Sequence, residues 1–243
     1  MPIRLETVRE TGSTNADLLA RLTAGQHVPE GVWLIADRQN AGRGRHGRAW
    51  LDAPGNFMGS TAVTLTAHDP AAASLSFVAA LAVYEAVVPR LAQPGLLQLK
   101  WPNDVLLGGA KFCGLLLERE QNHAVVGIGV NLAAAPVFAE RATDSLASHG
   151  PAPARDAFAR QLADSFDREL ARWREFGQGP ILARWLAAAH PVGTALTVHD
   201  PLGERVSGTF DGLDPTGALR LRLVDGSVRV IHAGDVSIGE GPA

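Results

Sequence analysis

The segment Ala41-Gly42-Arg43-Gly44-Arg45-His46-Gly47-Arg48-Ala49-Trp50 packs three glycines and three arginines into ten residues. A stretch with so little apolar surface cannot bury itself. It lies between two apolar runs, Val32-Trp33-Leu34-Ile35-Ala36 and Phe57-Met58-Gly59-Ser60-Thr61-Ala62-Val63-Thr64-Leu65, which read as buried strands. The fold must therefore hold an exposed loop between strands and turn it toward an anion. Glycine lowers the cost of unusual backbone angles and lets amide groups approach a ligand, and guanidinium forks match carboxylate or phosphate oxygens.

The spacing also spells G-x-G-x-x-G, and its context excludes the usual reading. A dinucleotide fingerprint needs a helix directly after the loop and an acidic residue about 20 positions on. Pro54 and Gly55 break the segment that follows. A kinase-type glycine loop is excluded because no H-R-D or D-F-G motif follows, and no Walker A pattern exists. A flexible Arg/Gly tail for RNA is a third option, against which the loop is internal and closely flanked by strands.

Composition narrows the classes further. With 243 residues, 46% hydrophobic and 19% charged, the chain can bury a full core in one larger domain with a small one beside it. Its net charge of −3 makes the arginines a local concentration in a mildly acidic protein, unlike a dedicated DNA binder. The single cysteine, Cys113, excludes an internal disulfide, and the first residues lack a signal-peptide plan, so a cytoplasmic location is expected. No membrane segment is expected, because Ala71 to Val88 is interrupted by serines, Tyr84 and Glu85.

Periodicity predicts a strand near Arg4 to Val8, a helix from Ala16 to Leu22 capped by Ser13 or Thr14, and a long helix from Pro70 to Leu91. Leu96 to Lys100, Val105 to Leu107, Lys111 to Glu118 and Ala124 to Leu132 read as strands, the middle two forming a hairpin through Gly108-Gly109. Gly127 and Gly129 fall on one side of the last strand and leave room for something flat or bulky. Helices follow at Ala154 to Phe176 and Pro180 to Ala189. Beyond Pro191-Val192-Gly193, four short strand-like pieces alternate with turns such as Asp200-Pro201-Leu202-Gly203, which suggests a small β barrel or sandwich. The expected class is mixed α+β, divided into residues 1–189 and a β-rich unit of residues 190–243.

Lys100, Asn103, Asp104 and Lys111 lie at or near strand ends, and Gln39 opens the loop. Ser13, Asn103, Asp104 and Asn131 are also ordinary cap or turn residues, Lys111 could be a solvated hairpin lysine, and Cys113 reads as a small buried apolar residue. The eight histidines show no metal-ligand spacing. On residues alone the chain is an α/β protein with an anion-binding loop.

The series Ser13-Thr14-Asn15, Gln39 through Trp50, Lys100-Trp101-Pro102-Asn103-Asp104, Lys111 through Glu118 and Gly127-Ile128-Gly129-Val130-Asn131-Leu132 resembles the ordered motifs of biotin protein ligases. The likeness spans essentially the whole chain. It implies a catalytic domain related to class II aminoacyl-tRNA synthetases, with a mixed sheet flanked by helices, and a small SH3-like C-terminal β-barrel. It further implies that biotin and ATP, with Mg2+, give biotinyl-5′-AMP and pyrophosphate, after which biotin passes to a lysine of a biotin carboxyl carrier protein such as that of acetyl-CoA carboxylase. By the same resemblance Ser13, Thr14, Asn15 and Gln39 line the biotin pocket, with Arg43, Gly44, Arg45, Lys111 and Gly114 completing it. Arg43, Arg45, Arg48, Trp50, Asn103, Lys111 and Asn131 would meet ATP or the adenylate, and Lys111, Arg45 and Asp104 would act at the reacting centre. No metal-binding residue is assigned. The first motif arrives too early for the DNA-binding domain of some relatives, so no DNA partner is expected, and a homodimer is compatible with the family. A lipoate-protein ligase shares the adenylate logic, and a noncatalytic RNA- or phosphate-binding module would explain the arginines alone.

Overall fold

The computed structural model describes residues 3–138, 141–199 and 204–239. Its framework is a seven-stranded sheet built from β1 (Arg4–Thr11), β2 (Val32–Gln39), β3 (Phe57–Thr64), β4 (Leu97–Lys100), β5 (Asp104–Leu107), β6 (Ala110–Glu120) and β7 (His123–Val130). The spatial order is β1-β2-β3-β7-β6-β5-β4. β1 and β2 are parallel and joined by helix α1 (Thr14–Thr23), whereas the other pairings are antiparallel. That arrangement is the expected mixed sheet.

Alternation along the strands explains why both faces are covered. On β2, Trp33 and Ile35 join the large core under the helices, and Leu34 joins a smaller cluster with Leu18, Leu22, Ala62 and Val125 beneath α1. The large core is closed by α2 (Leu75–Val87), α3 (Arg155–Phe176) and α4 (Gln178–Ala188). Helix α2 is apolar around nearly its whole circumference, the mark of a central core helix. Trp173 on α3 donates its indole N–H to Ser74 Oγ at 2.7 Å, which satisfies a polar atom that burial would otherwise strand.

Several sequence expectations are corrected here. Helix α2 starts at Leu75 rather than at Pro70, because Ala72–Ser74 forms a 3-10 turn first, and Val88–Arg90 forms another at the far end. With those turns included, Ala72–Arg90 is long and apolar enough to cross a membrane by length and composition, contrary to the expectation. Its place between the sheet and α3 gives the physical reason for that composition: with ten of its thirteen residues buried, α2 keeps only a narrow polar edge at Ser76, Tyr84 and Glu85. Strands β1 and β2 each extend about three residues beyond their apolar runs, held by parallel register as far as Thr11 opposite Gln39.

The C-terminal unit is a five-stranded antiparallel sheet of β8 (Ala195–His199), β9 (Arg205–Leu213), β10 (Leu219–Arg222), β11 (Val228–Ile231) and β12 (Asp235–Ile238). Its order is β11-β10-β9-β8-β12. The fifth strand, β12, escaped the sequence reading, being only four residues long and beginning with an aspartate. The expected turn at Asp200 to Gly203 lies outside the described residues. The two sheets are joined by contact: Trp101 donates its indole N–H to the carbonyl of Gly217 at 3.0 Å, and Phe210, Leu219 and Leu221 extend the large core.

Candidate active site

The glycine- and arginine-rich segment is a short hairpin. Arg43 pairs with Ala49, Gly44 N donates to Arg48 O at 2.7 Å, and Trp50 N donates to Gly42 O at 2.9 Å. Its tip is the 3-10 turn Arg45–Gly47, with His46 at φ 55° and Gly47 at φ 71°. A side chain on Gly42 would lie 2.9 Å from the Trp50 carbonyl, so that position must be glycine. The Gly44, Arg48 and Trp50 amides are used within the hairpin itself.

Beside this hairpin lies an open cleft. It is lined by Ser13, Thr14, Asn15, Gln39, Arg43, Gly44, Arg45, Arg48, Trp50, Asn103, Asp104, Lys111 and Gly114. Thirteen of the fourteen expected site residues therefore converge on one cavity from six parts of the chain. The exception is Asn131, which is buried beneath an adjoining small pocket with Trp50 and Lys111, where its Nδ2 donates to the Asp144 carbonyl at 3.1 Å.

At one end the lining is a buried polar web. Ser13 caps α1, accepting from Ala16 N at 3.5 Å, and so serves both as cap and as wall. Thr14 N donates to Gln39 Oε1 at 2.8 Å, and Thr14 Oγ1 lies 2.7 Å from Ser60 Oγ. Ser60 in turn donates to Asn15 Oδ1 at 2.6 Å, and Asn15 Nδ2 donates to Glu118 Oε2 at 2.8 Å. Fixed donors and acceptors are what a flat polar ring such as a urea requires.

The room that Gly127 and Gly129 leave on β7 is filled from within the chain. A Cβ on Gly127 would lie 2.3 Å from Asn15 Oδ1, and one on Gly129 would lie 2.4 Å from Trp50 Cε2. Trp50 also covers Gly114 of β6, where a Cβ would meet Cζ3 at 2.9 Å. The indole thus stands as one wall of the cleft, seated on two glycines that face each other across the β6–β7 pairing.

At the other end is a charged cluster. Lys111 Nζ lies 2.6 Å from Asp104 Oδ1, and Lys100 Nζ lies 3.6 Å from Asp104 Oδ2. The register produces this: Lys100 is opposite Asp104 across the β4–β5 turn, and Asp104 is opposite Gly114, beside Lys111 on β6. Burial pulls the Asp104 pKa upward, but the charges of Lys111 and Lys100 outweigh it and hold the carboxyl below its ordinary value. Burial has the last word at Lys100, whose pKa is lowered despite Asp104 beside it. Asn103 spans the turn, donating through Nδ2 to Leu115 O at 2.6 Å while its Oδ1 accepts from Arg45 at 3.3 Å. Cys113, behind this cluster, is fully buried and its thiol pKa is pushed up by desolvation, as a packing residue requires.

Three polar side chains of the lining escaped the sequence reading: Ser60, Arg141 and Asp235. Ser60 was hidden in a run of small residues on β3, and Arg141, 4.0 Å above the Phe138 ring, lies in an irregular loop with no motif signal. Asp235 comes from the C-terminal sheet and pairs with Arg48, with Arg45 Nη1 at 3.8 Å from its Oδ1.

Comparison with known proteins agrees with this geometry. The profile of the Biotin/lipoate A/B protein ligase family matches residues 10–131, and that of the biotin protein ligase C-terminal domain matches residues 196–239. The chain is 39% identical to the biotin--[acetyl-CoA-carboxylase] ligase of Mycobacterium tuberculosis, over 96% of this chain and 88% of that protein. It is 40% identical to the enzyme of the same name from Paracoccus denitrificans, over 94% of this chain and 98% of that one. A solved biotin protein ligase from Aquifex aeolicus, in complex with biotin and ATP, superimposes with a TM-score of 0.83 at 25% identity, covering 97% of this chain and 98% of its own. By fold, by motif order and by identity along nearly its whole length, the chain belongs to the biotin protein ligase family.

Proposed function

We propose that this protein activates biotin with ATP to biotinyl-5′-AMP and transfers the biotinyl group to a lysine of a biotin carboxyl carrier protein. One observation carries the reading: a single cleft holds a buried hydrogen-bonding web together with the Lys111–Asp104 pair, backed by Lys100, and Arg43 and Arg45. That combination suits a ligand with a neutral polar ring and a carboxylate on an apolar arm.

In the first step a biotin carboxylate oxygen bonds to the α-phosphorus of ATP as the bond to the bridging oxygen breaks, and pyrophosphate leaves. Joining two anions needs cations aimed where charge accumulates. Lys111, fixed by Asp104, and Arg45, fixed by Asn103, are the groups placed for it. In the second step the carrier amine attacks the acyl carbon, loses a proton, and AMP leaves. Asp104, held ionised by its two lysines, is a weak proton acceptor; it holds Lys111 and orients the incoming amine.

Among the described residues no three His, Cys, Asp or Glu side chains converge as a metal site. A magnesium ion arriving with ATP fits this chain only as one held mainly by phosphate oxygens and water, which is its usual habit. We place the catalytic division at residues 1–189, with 190–243 as the second unit; the bridge from Leu99 to Ala189 supports that boundary.

The test is transfer itself. Incubated with biotin, ATP and an apo carrier domain, the protein should add one biotinyl group, seen by intact mass, and should not add lipoyl when lipoate replaces biotin. Lipoyl transfer without biotinyl transfer would move the chain to the lipoate branch.

A further inference from the structure

Among the arginines of the hairpin, Arg48 and Arg45 both reach the tail, Arg48 in direct contact with Asp235 and Arg45 at 3.8 Å from it. Arg48 gives its guanidinium to the carboxylate of Asp235, in the C-terminal unit. Arg45 turns inward, its Nη1 3.3 Å from Asn103 Oδ1 and 3.3 Å from the Gly234 carbonyl. The sequence-based reading placed both on the adenylate. A carboxylate at the mouth of a site that must join two anions works against the chemistry unless it has another task.

The backbone fixes that carboxylate firmly. Gly234 has φ 158°, and a Cβ there would lie 2.9 Å from both the His199 carbonyl and Val198 Cγ1, so the chain is pressed against β8 as β12 begins. Asp235 pairs in register with His199, and the whole unit is held to the catalytic sheet through the Trp101–Gly217 hydrogen bond. Asp235 is therefore placed by backbone packing and strand pairing, and the hairpin meets it through side chains alone.

We propose that Asp235 is a positioning residue that latches the hairpin through Arg48 and so keeps the adenylate in the cleft between the two half-reactions. Arg48 is the main latch, and Arg45, whose own contact with Asp235 is the longer one at 3.8 Å, is the arm that turns to the phosphate. The proposal rests on the ligase reading above, since it concerns retention of that intermediate.

The experiment measures, with biotin and ATP but no carrier, the fraction of adenylate found free in solution, together with labelling of lysines on an unrelated protein such as albumin. Loss of one half-exposed ion pair should raise the escaping fraction roughly two- to five-fold in Asp235→Asn and in Arg48→Gln. Asp235→Glu should restore retention, and the double variant should be no leakier than the worse single one. Trypsin should cut near residues 43–48 faster in both variants without ligand. An Asp235→Asn protein with a wild-type melting profile and wild-type retention would overturn the latch, as would effects of the two substitutions that multiply. If Asp235→Asn does not fold, Arg48→Gln decides, because it leaves the tail intact; slower adenylate formation with unchanged retention would place Arg48 on the ligand instead. A wild-type protein that forms no adenylate would refute the ligase reading and not the latch.

Discussion

Substituting Gly129 by alanine separates two roles that small residues play on β7. An added Cβ would stand 2.4 Å and 2.5 Å from Trp50 Cε2 and Cζ2. Carbon atoms settle at about 3.5–4.0 Å, so the indole must withdraw by roughly 1 Å. Trp50 can do so, being half-buried at the end of a hairpin, and the cost to folding should stay at or below the roughly 1–3 kcal/mol of core overpacking. The cleft cannot absorb the change as easily. A wall displaced by about 1 Å lowers rates by up to about 100-fold, so kcat/KM for biotin in pyrophosphate exchange should fall by roughly 10- to 100-fold. Gly127→Ala is the contrast: its Cβ would press on Asn15, which is fully buried and tied to Ser60 and Glu118, so stability should suffer first. Thermal melts and steady-state kinetics on both variants settle the matter. A folded Gly129→Ala protein with kcat/KM within two-fold of wild type would refute the claim that Trp50 forms a wall of the ligand site.

Other substitutions probe the charged end and the tail. Lys111→Ala should lower adenylate formation by about 10²- to 10³-fold, the usual effect of removing one preorganised charge-stabilising group, measured by pyrophosphate exchange. Arg45→Gly should release adenylate, seen as biotinylation of bystander lysines; tight retention in that variant would contradict its assignment to the phosphate. Burial of His190 against Phe210 pushes its pKa from 6.5 down to about 4, with Lys100 adding to the shift. The folded state therefore favours neutral His190. Between pH 6.5 and about 4 the unfolded chain binds a proton that the folded one refuses, so up to about 3 kcal/mol of stability is present above pH 6.5 and is lost on acidification. His190→Gln should flatten the fall in Tm over that range, and parallel pH profiles for the two proteins would contradict it.

What could be read from the sequence divides along a physical line. Motif residues placed by local geometry were legible: Asp104 and Lys111 meet because a tight β5–β6 hairpin brings the two strands together beside Lys100 on β4. Contacts that depend on long-range packing were not. The space above Gly127 and Gly129 was predicted correctly, yet nothing local says that Asn15 and Trp50 fill it. The arginine loop was read as turned toward an anion, and Asp235, 187 residues away from Arg48, supplies one from within the chain. That partner was invisible because β12 is only four residues long, too short for the alternation of Val236 and Ile238 to stand out, and it pairs with β8 more than thirty positions away in sequence. The apolar run at Ala72–Arg90 carries no clear period because ten of the thirteen residues of α2 are buried, so its boundaries could be read only roughly.

The central claim is that the cleft binds biotin and ATP together and couples them. Biotin-dependent exchange of radiolabelled pyrophosphate into ATP, run against a lipoate control, measures this directly. Exchange that requires biotin, is absent with lipoate and falls sharply in Lys111→Ala is the predicted result. Exchange with lipoate alone, or none with biotin, would contradict the account.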